Sequence, residues 1–297
     1  MPPESPPPLA GGGRGQGTAK RLRPYILIAI PSIFLLAFFI IPSLVLLSMS
    51  MVQSEDTIPT GTLTLDNFAT LLSNRLYLNA ISRSFLVGIA SGAIVVLLAY
   101  PLAYFLVRTT SRWKHLLIAL SLAPLLASVI VRTYGWWVVL NREGALNVGL
   151  RSLGIIDRPL ILLPSTFAII IGLAHALLPY GVLTIMASLN SLNPSLERAA
   201  MSLGAGRART FLAVTLPMTA PGIAGGFLLT FAIAISAYAT PAILGGPTTE
   251  VMATMIRRFM LELLDWSLGS AMGAILLVSA MVLLLLTSAL GNRQPAP

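Results

Sequence analysis

The chain contains no cysteine. That removes disulfide staples and thiolate metal sites and leaves the redox compartment unspecified. It has only two histidines, His115 and His175, with no second histidine near enough to either to form a metal pair. Charge is scarce too: 10% of residues are Asp, Glu, Lys or Arg, against about a quarter in soluble domains. No acid falls inside a long apolar run, so no cluster of nucleophile, base and metal ligand marks a membrane-embedded enzyme. A Gly-x-x-x-x-Gly-Lys-[Ser/Thr] string is also missing, and the Gly13 to Gly17 run lacks the preceding strand and following helix of a phosphate cradle. No cofactor is expected in this chain, and if ATP drives the protein, another subunit holds it.

What the chain has instead is apolar length. Hydrophobic residues make up 56% of it and mean hydropathy is +0.86, so lipid is the expected solvent. Crossing a hydrocarbon core takes roughly 20 apolar residues as helix. Runs of that length lie at about Tyr25 to Ser48, Phe85 to Val107, Leu116 to Leu140, Leu160 to Leu189, Met218 to Leu244 and Leu268 to Leu290. The expected fold is therefore all-α, a polytopic membrane protein with six transmembrane helices. The first run is longer than a signal-peptide core and lacks a small-residue cleavage pattern, so it reads as a retained span.

The Pro- and Gly-rich start reads as a disordered tail over residues 1–23, followed by a first span at 24–50 and an external loop at 51–83. The transmembrane domain is expected over 80–290, with a polar loop at 190–217 and a short tail at 291–297.

Orientation follows from lysine and arginine, which are retained on the cytoplasmic side. With the N-terminus inside, the inner segments hold Arg14, Lys20, Arg21, Arg23, Arg108, Arg112, Lys114, Arg198, Arg207, Arg209 and Arg293. The outer ones hold Arg75, Arg83, Arg142, Arg151, Arg158, Arg257 and Arg258. Both termini and the 190–217 loop are thus expected in the cytoplasm. The sequence pI of about 10.6 reflects basic residues at span ends, without the interleaved aromatics of a nucleic-acid surface, so no nucleic-acid partner is expected.

The polar loop carries a helix-turn-helix pattern. Asn193 is a good N-cap and Pro194 suits the first helical position. Leu196, Ala199, Ala200 and Leu203 then repeat at helical spacing until Gly204, a natural stop. After nine intervening residues comes Val214-Thr215-Leu216-Pro217.

This spacing resembles the cytoplasmic signature of permease subunits of binding-protein-dependent, type I ABC importers: Glu-Ala-Ala, three residues, Gly, nine residues, Ile-x-Leu-Pro. Arg198 stands where the signature has glutamate, and the nearest acid is Glu197. Glu197 and Gly204 are seven positions apart, about 20° from one helix face. The resemblance covers roughly residues 65–290 and is nearest the spermidine/putrescine permease subfamily. Tyr100-Pro101-Leu102-Ala103-Tyr104-Phe105-Leu106, Val131-Arg132-Thr133-Tyr134-Gly135-Trp136, Gly144-Ala145-Leu146-Asn147, Leu177-Leu178-Pro179-Tyr180 and Thr240-Pro241-Ala242-Ile243-Leu244-Gly245-Gly246 carry it. Related permeases for amino-acid-like solutes, opines, organophosphonates or inorganic ions have similar strings.

The resemblance implies a type I importer fold, two separate ATP- and Mg-binding subunits, a second permease subunit, identical or homologous, and an extracytoplasmic solute-binding protein in the inner membrane system. It also implies that Glu197, Arg198, Ala199, Ala200, Leu203, Gly204, Ala205 and Pro217 meet the ATPase subunit.

For the solute path the candidates are Arg132, Tyr134, Trp136, Trp137, Pro179, Tyr238 and Pro241. Arg132 is a charge within an apolar run, and such charges are costly enough to be functional candidates. It stands equally for a structural ion pair, with Glu143 or Asp157 as partner, and for a path residue. Tyr134, Trp136 and Trp137 offer faces for organic cations, or anchor the chain at the membrane interface. His175, four residues before Pro179, reads as a packed polar residue beside a kink. Pro217, Pro221 and Pro241 bracket the fifth run and suit a helix lining a cavity. Gly88 to Gly92, Gly222 to Gly226 and Gly269 to Gly273 are Gly-x-x-x-Gly pairs suited to close helix packing. A secondary transporter, the rival reading, calls for paired ionisable residues or repeated halves.

Overall fold

The computed structural model describes residues 16–55 and 58–291. The chain divides into two units, the first ending at Ser48. The first unit's described part lies in one helix, α1 (Gln16–Ser50), 35 residues long, whose last two residues belong to the second unit and whose Phe34, Phe38 and Ile41 stand exposed as a lipid-facing surface requires. This corrects the expectation of a tail to residue 23: helix takes in 16–23, because Ala19-Lys20-Arg21-Leu22 are good helix formers onto which an apolar helix propagates. The tail's residues 1–15, like most of the C-terminal tail, lie outside the described residues.

The second unit opens with an antiparallel hairpin, β1 (Val52–Glu55) and β2 (Ile58–Leu63). Then come α2 (Asp66–Ser73), α3 (Arg75–Arg108), α4 (Lys114–Leu126), α5 (Val129–Leu140), α6 (Ala145–Ser152) and α7 (Thr166–Ser191). After α7 lie α8 (Pro194–Ser202), α9 (Arg207–Thr210), a π-helical turn (Phe211–Thr215) and α10 (Leu216–Met218). The chain finishes with α11 (Ala220–Ser236), α12 (Ala239–Leu244), α13 (Met252–Arg257), a second π turn (Arg258–Glu262) and α14 (Trp266–Gly291). The all-α reading holds apart from the hairpin.

The expected loop at 51–83 is thus largely structured. The Asn67 amide donates to the Ser50 and Val52 carbonyls at 3.0 and 2.8 Å, pinning α2 to the start of the hairpin. The Asn74 side chain caps α3 by accepting from the Leu76 N–H at 2.9 Å, so α3 begins ten residues ahead of the expected Phe85. The missed signal was this capping asparagine between two helical stretches.

The core is a triad of α3, α7 and α11. Val95, Ala99 and Leu106 of α3 meet Ile169, Val182, Ile185 and Leu189 of α7, with Phe231, Ala234 and Ile235 of α11 also buried. In lipid this packing is held by close contact more than by exclusion of water. Glycine makes the approach possible: a β-carbon on Gly181 would fall 2.5 Å from Val95 Cγ1, and one on Gly88 2.8 Å from the Phe231 ring. The Gly88 to Gly92 and Gly222 to Gly226 pairs therefore serve packing within the chain, against α11 and α7 respectively. A smaller cluster joins Leu71, Ala80, Met252, Met255, Phe259 and Met272.

Among the described residues, four helical stretches are long and apolar enough to cross a membrane: Pro31–Ser50, α3, α7 and Trp266–Leu283. Two of the six expected spans are broken. The third parts into α4 and α5, with a bend of 98° between Lys114–Leu126 and Val129–Ser152. Pro124 leaves the Leu120 carbonyl without its ladder donor in the last turn before the break, and Ala127 is extended. The fifth bends by 59° between Arg207–Met218 and Ala220–Ser236. Counting each bent pair as one span gives up to six. The fifth also ends at Ser236 rather than Leu244, since Pro241 has no N–H for the Ala237 carbonyl and its ring crowds that oxygen. The fourth starts at Thr166, not Leu160, because Ser165 caps it, accepting from the Ala168 N–H at 3.1 Å.

Candidate functional site

The loop between α7 and α11 folds as its residues dictate. Asn193 accepts from the Ser195 N–H at 3.0 Å and Pro194 opens α8. At the other end Gly204 has φ +88°. Its N–H reaches the Met201 carbonyl at 3.0 Å, and that of Ala205 reaches the Ala200 carbonyl at 3.1 Å. This pair of bonds is the Schellman stop that a glycine in the left-handed region permits. No residue of α8 is buried, and Leu203 is 90% exposed. Arg198, Ala199, Gly204 and Pro217 are likewise exposed, while Ala200 and Ala205 are half-buried.

Glu197 departs from the other loop candidates. Its side chain is only 15% exposed, and one oxygen, Oε1, accepts from Arg108 Nη2 at 2.5 Å and from Thr215 Oγ1 at 2.7 Å. It therefore holds the loop to its own chain instead of standing free on the surface it was expected to share with Gly204. The Arg108 guanidinium also lies over the Tyr104 ring at 5.8 Å. Tyr104 and Tyr100 each meet Phe211 edge-on, at 5.5 and 5.7 Å. The Tyr100 hydroxyl lies 3.0 Å from Thr219 Oγ1, at the 59° bend. Sequence reasoning missed Arg108, Tyr104, Phe211 and Thr215 because no periodicity links positions 89 residues apart. The available signal was that Glu197 is the one acid between Asp157 and Glu250.

The path candidates do not converge on one place. Arg132, Trp136 and His175 line a hollow of about 550 Å³ beside the α4–α5 break. Arg132 makes no ion pair with Glu143 or Asp157, contrary to the paired reading, and donates instead to the Pro124 carbonyl. That carbonyl belongs to the last turn of α4, where four oxygens lack helical donors and carry the negative end of the helix dipole. Trp136 donates to His175 Nδ1 at 3.2 Å, one turn before the buried Pro179.

Tyr238 and Pro241 line a separate hollow of about 340 Å³ with Glu250, Arg257, Arg258 and Glu262. There Arg257 pairs with Glu262, Arg258 with Glu250, and the Arg257 guanidinium lies 5.7 Å from the Tyr238 ring centre. Tyr134 and Trp137 line neither hollow and are 54% and 40% exposed.

Comparison with known proteins gives these features a context. Residues 152–294 match the family described as binding-protein-dependent transport system inner membrane component. The chain is 31% identical over 254 residues to the spermidine/putrescine transport system permease protein PotB of Salmonella typhimurium, spanning 85% of this chain and 88% of that one. To PotB of Escherichia coli it is 32% identical over 239 residues, with 80% and 86% covered. A bacterial alginate ABC transporter, solved with an alginate-bound periplasmic protein, contains a chain of the same fold. The TM-score is 0.76 at 20% identity, covering 95% of this chain and 98% of that one. With its apolar helices and the exposed loop following α7, this chain belongs to the permease family of binding-protein-dependent ABC importers.

Proposed function

We propose that the chain conducts a polyamine inward across the cytoplasmic membrane, as one permease of a pair, with ATP and Mg held by two separate ATPase subunits. An external binding protein delivers the solute, and the Asn193 to Pro217 loop lies on the cytoplasmic face, where the ATPase subunits dock. The permease does no covalent chemistry. ATP-driven closure of the ATPase pair biases the helices between two states only as far as the closed pair binds one state better.

The observation that carries the solute reading is the identity of about a third to two PotB proteins over most of their length. The hollow at Tyr238 supports it. Its aromatic face already accepts a guanidinium, and Glu250 and Glu262 are paired with Arg258 and Arg257, so an organic cation would bind there by taking the place of an arginine.

One observation favours a second reading. Arg132 lines a hollow without a carboxylate partner among the described residues, which suits a solute carrying an anionic group. Uptake into proteoliposomes holding the whole complex tests both. The first reading expects labelled spermidine or putrescine to enter with ATP, with cationic competitors blocking it. Entry of an anionic solute unaffected by polyamines would overturn that reading and support the second.

A further inference from the structure

We infer that Arg108 is a positioning residue for energy coupling: through Glu197 it clamps α8 to the end of α3, so that load applied to the loop passes into the α3–α7–α11 core. The inference rests on the reading of the loop as the ATPase contact and adds how motion leaves it.

None of the residues of α8 is buried, so apolar packing grips that helix weakly. Its charged anchor is one carboxylate oxygen, shared between Arg108 on α3 and Thr215 in the π turn. Three elements meet at that atom. On the far side of Arg108 the contacts continue through Tyr104 to Phe211 and Tyr100, and from Tyr100 to Thr219 at the bend leading into α11. Beyond its chain connection to α7, the loop is therefore joined to two core helices, α3 directly and α11 through its bend.

A π turn carries one residue more than α-helix would need, a feature common at functional sites. Here it sets Thr215 where its hydroxyl reaches Glu197. The Arg108 Nε is buried without a hydrogen-bond partner, so the guanidinium is held by Glu197 and the Tyr104 ring alone among the described contacts. Such a junction transmits displacement while intact and uncouples the loop when cut.

The test uses the complete complex, permeases, ATPase subunits and binding protein, reconstituted in proteoliposomes. Three quantities are read: ATPase subunits retained on purification, ATP hydrolysed, and solute taken up per ATP. Arg108→Ala is expected to retain the ATPase subunits and hydrolysis while uptake per ATP falls about tenfold, within the usual range of coupling between sites. Exchanging the charges, Arg108→Glu with Glu197→Arg, is expected to recover most of that loss. If Arg108→Ala does not reach the membrane, Thr215→Val keeps the side-chain shape, cuts one bond to Glu197 and is expected to lower uptake per ATP severalfold.

Unchanged uptake per ATP in the variants that assemble would overturn the clamp and leave the docking reading intact. So would hydrolysis and uptake falling together, which marks a merely disordered loop. A wild-type complex that retains no ATPase subunit would overturn both readings.

Discussion

Arg108, the last residue of α3, and Glu197, in the first turn of α8, form an ion pair of 2.5 Å across 89 positions of sequence. Their side chains are 30% and 15% exposed, so solvent screens the pair only partly. Glu197→Ala removes the shared acceptor and leaves both donors unpaired, which predicts a loss of about 1–2 kcal/mol. Glu197→Gln keeps an oxygen for Thr215 and is expected to lose less. Melting of the detergent-purified variants measures the order.

Gly204 separates backbone need from side-chain bulk. Its φ of +88° strains any other residue, but a β-carbon there meets nothing within 4 Å. Gly204→Ala is expected to destabilise the loop by about 1 kcal/mol, and Gly204→Asn by less, since asparagine tolerates the left-handed region. If the exposed face docks an ATPase subunit, Asn should still weaken retention of that subunit. Co-purification beside thermal melting distinguishes the two effects.

The helix triad makes a sharper demand. With Val95 Cγ1 lying 2.5 Å from a Gly181 β-carbon and the Phe231 ring 2.8 Å from one on Gly88, Gly181→Val and Gly88→Val each force helices apart. Overpacking of this kind costs about 1–3 kcal/mol. Reduced yield of monodisperse protein is expected from both, whereas Gly149→Ala, at a position with open space, should be neutral.

Arg132 is predicted to act on the α4–α5 break rather than through an ion pair. Arg132→Gln retains a donor for the Pro124 carbonyl and is expected to preserve expression and melting, while Arg132→Leu leaves that oxygen unpaired in the span and lowers both. Equal behaviour of the two variants would remove the capping role.

In the other hollow, Tyr238→Ala deletes the face beneath the Arg257 guanidinium. If a cationic solute uses the same face, its half-saturating concentration is expected to rise about 3- to 30-fold, the range a cation–π contact supports. Tyr238→Phe, which keeps the ring, should leave it near wild type.

The extent to which this was readable beforehand follows from the range of the signals. The α8 loop was legible to single residues because its determinants are local: Asn193, Pro194 and Gly204 act on their own backbone. Apolar runs located the spans but not their breaks, since hydropathy is blind to whether the ladder continues past Pro124 or Pro241. The hairpin at Val52 to Leu63 escaped because Gln53-Ser54-Glu55 and Pro59-Thr60-Gly61 lack the apolar alternation that marks a strand. Most hidden was the partner of Glu197. Its lone position between Asp157 and Glu250 called for a cation, but Arg112, Lys114, Arg207 and Arg209 were as available as Arg108 until the fold brought Arg108 to it.

Because the chain has no cysteine, single introduced thiols can report whether ATP-driven motion enters through this exposed loop. Single cysteines are placed by L203C, in the loop, and L153C, just past α6, both at strongly exposed positions. Each is then labelled with benzophenone maleimide, whose photoactivated ketone inserts into neighbouring C–H bonds and needs no thiol on the partner, in membranes containing the whole complex. L203C is expected to cross-link to the ATPase subunit and L153C is not. Cross-linking of L153C alone, or of neither while the complex still transports, would contradict entry through this loop.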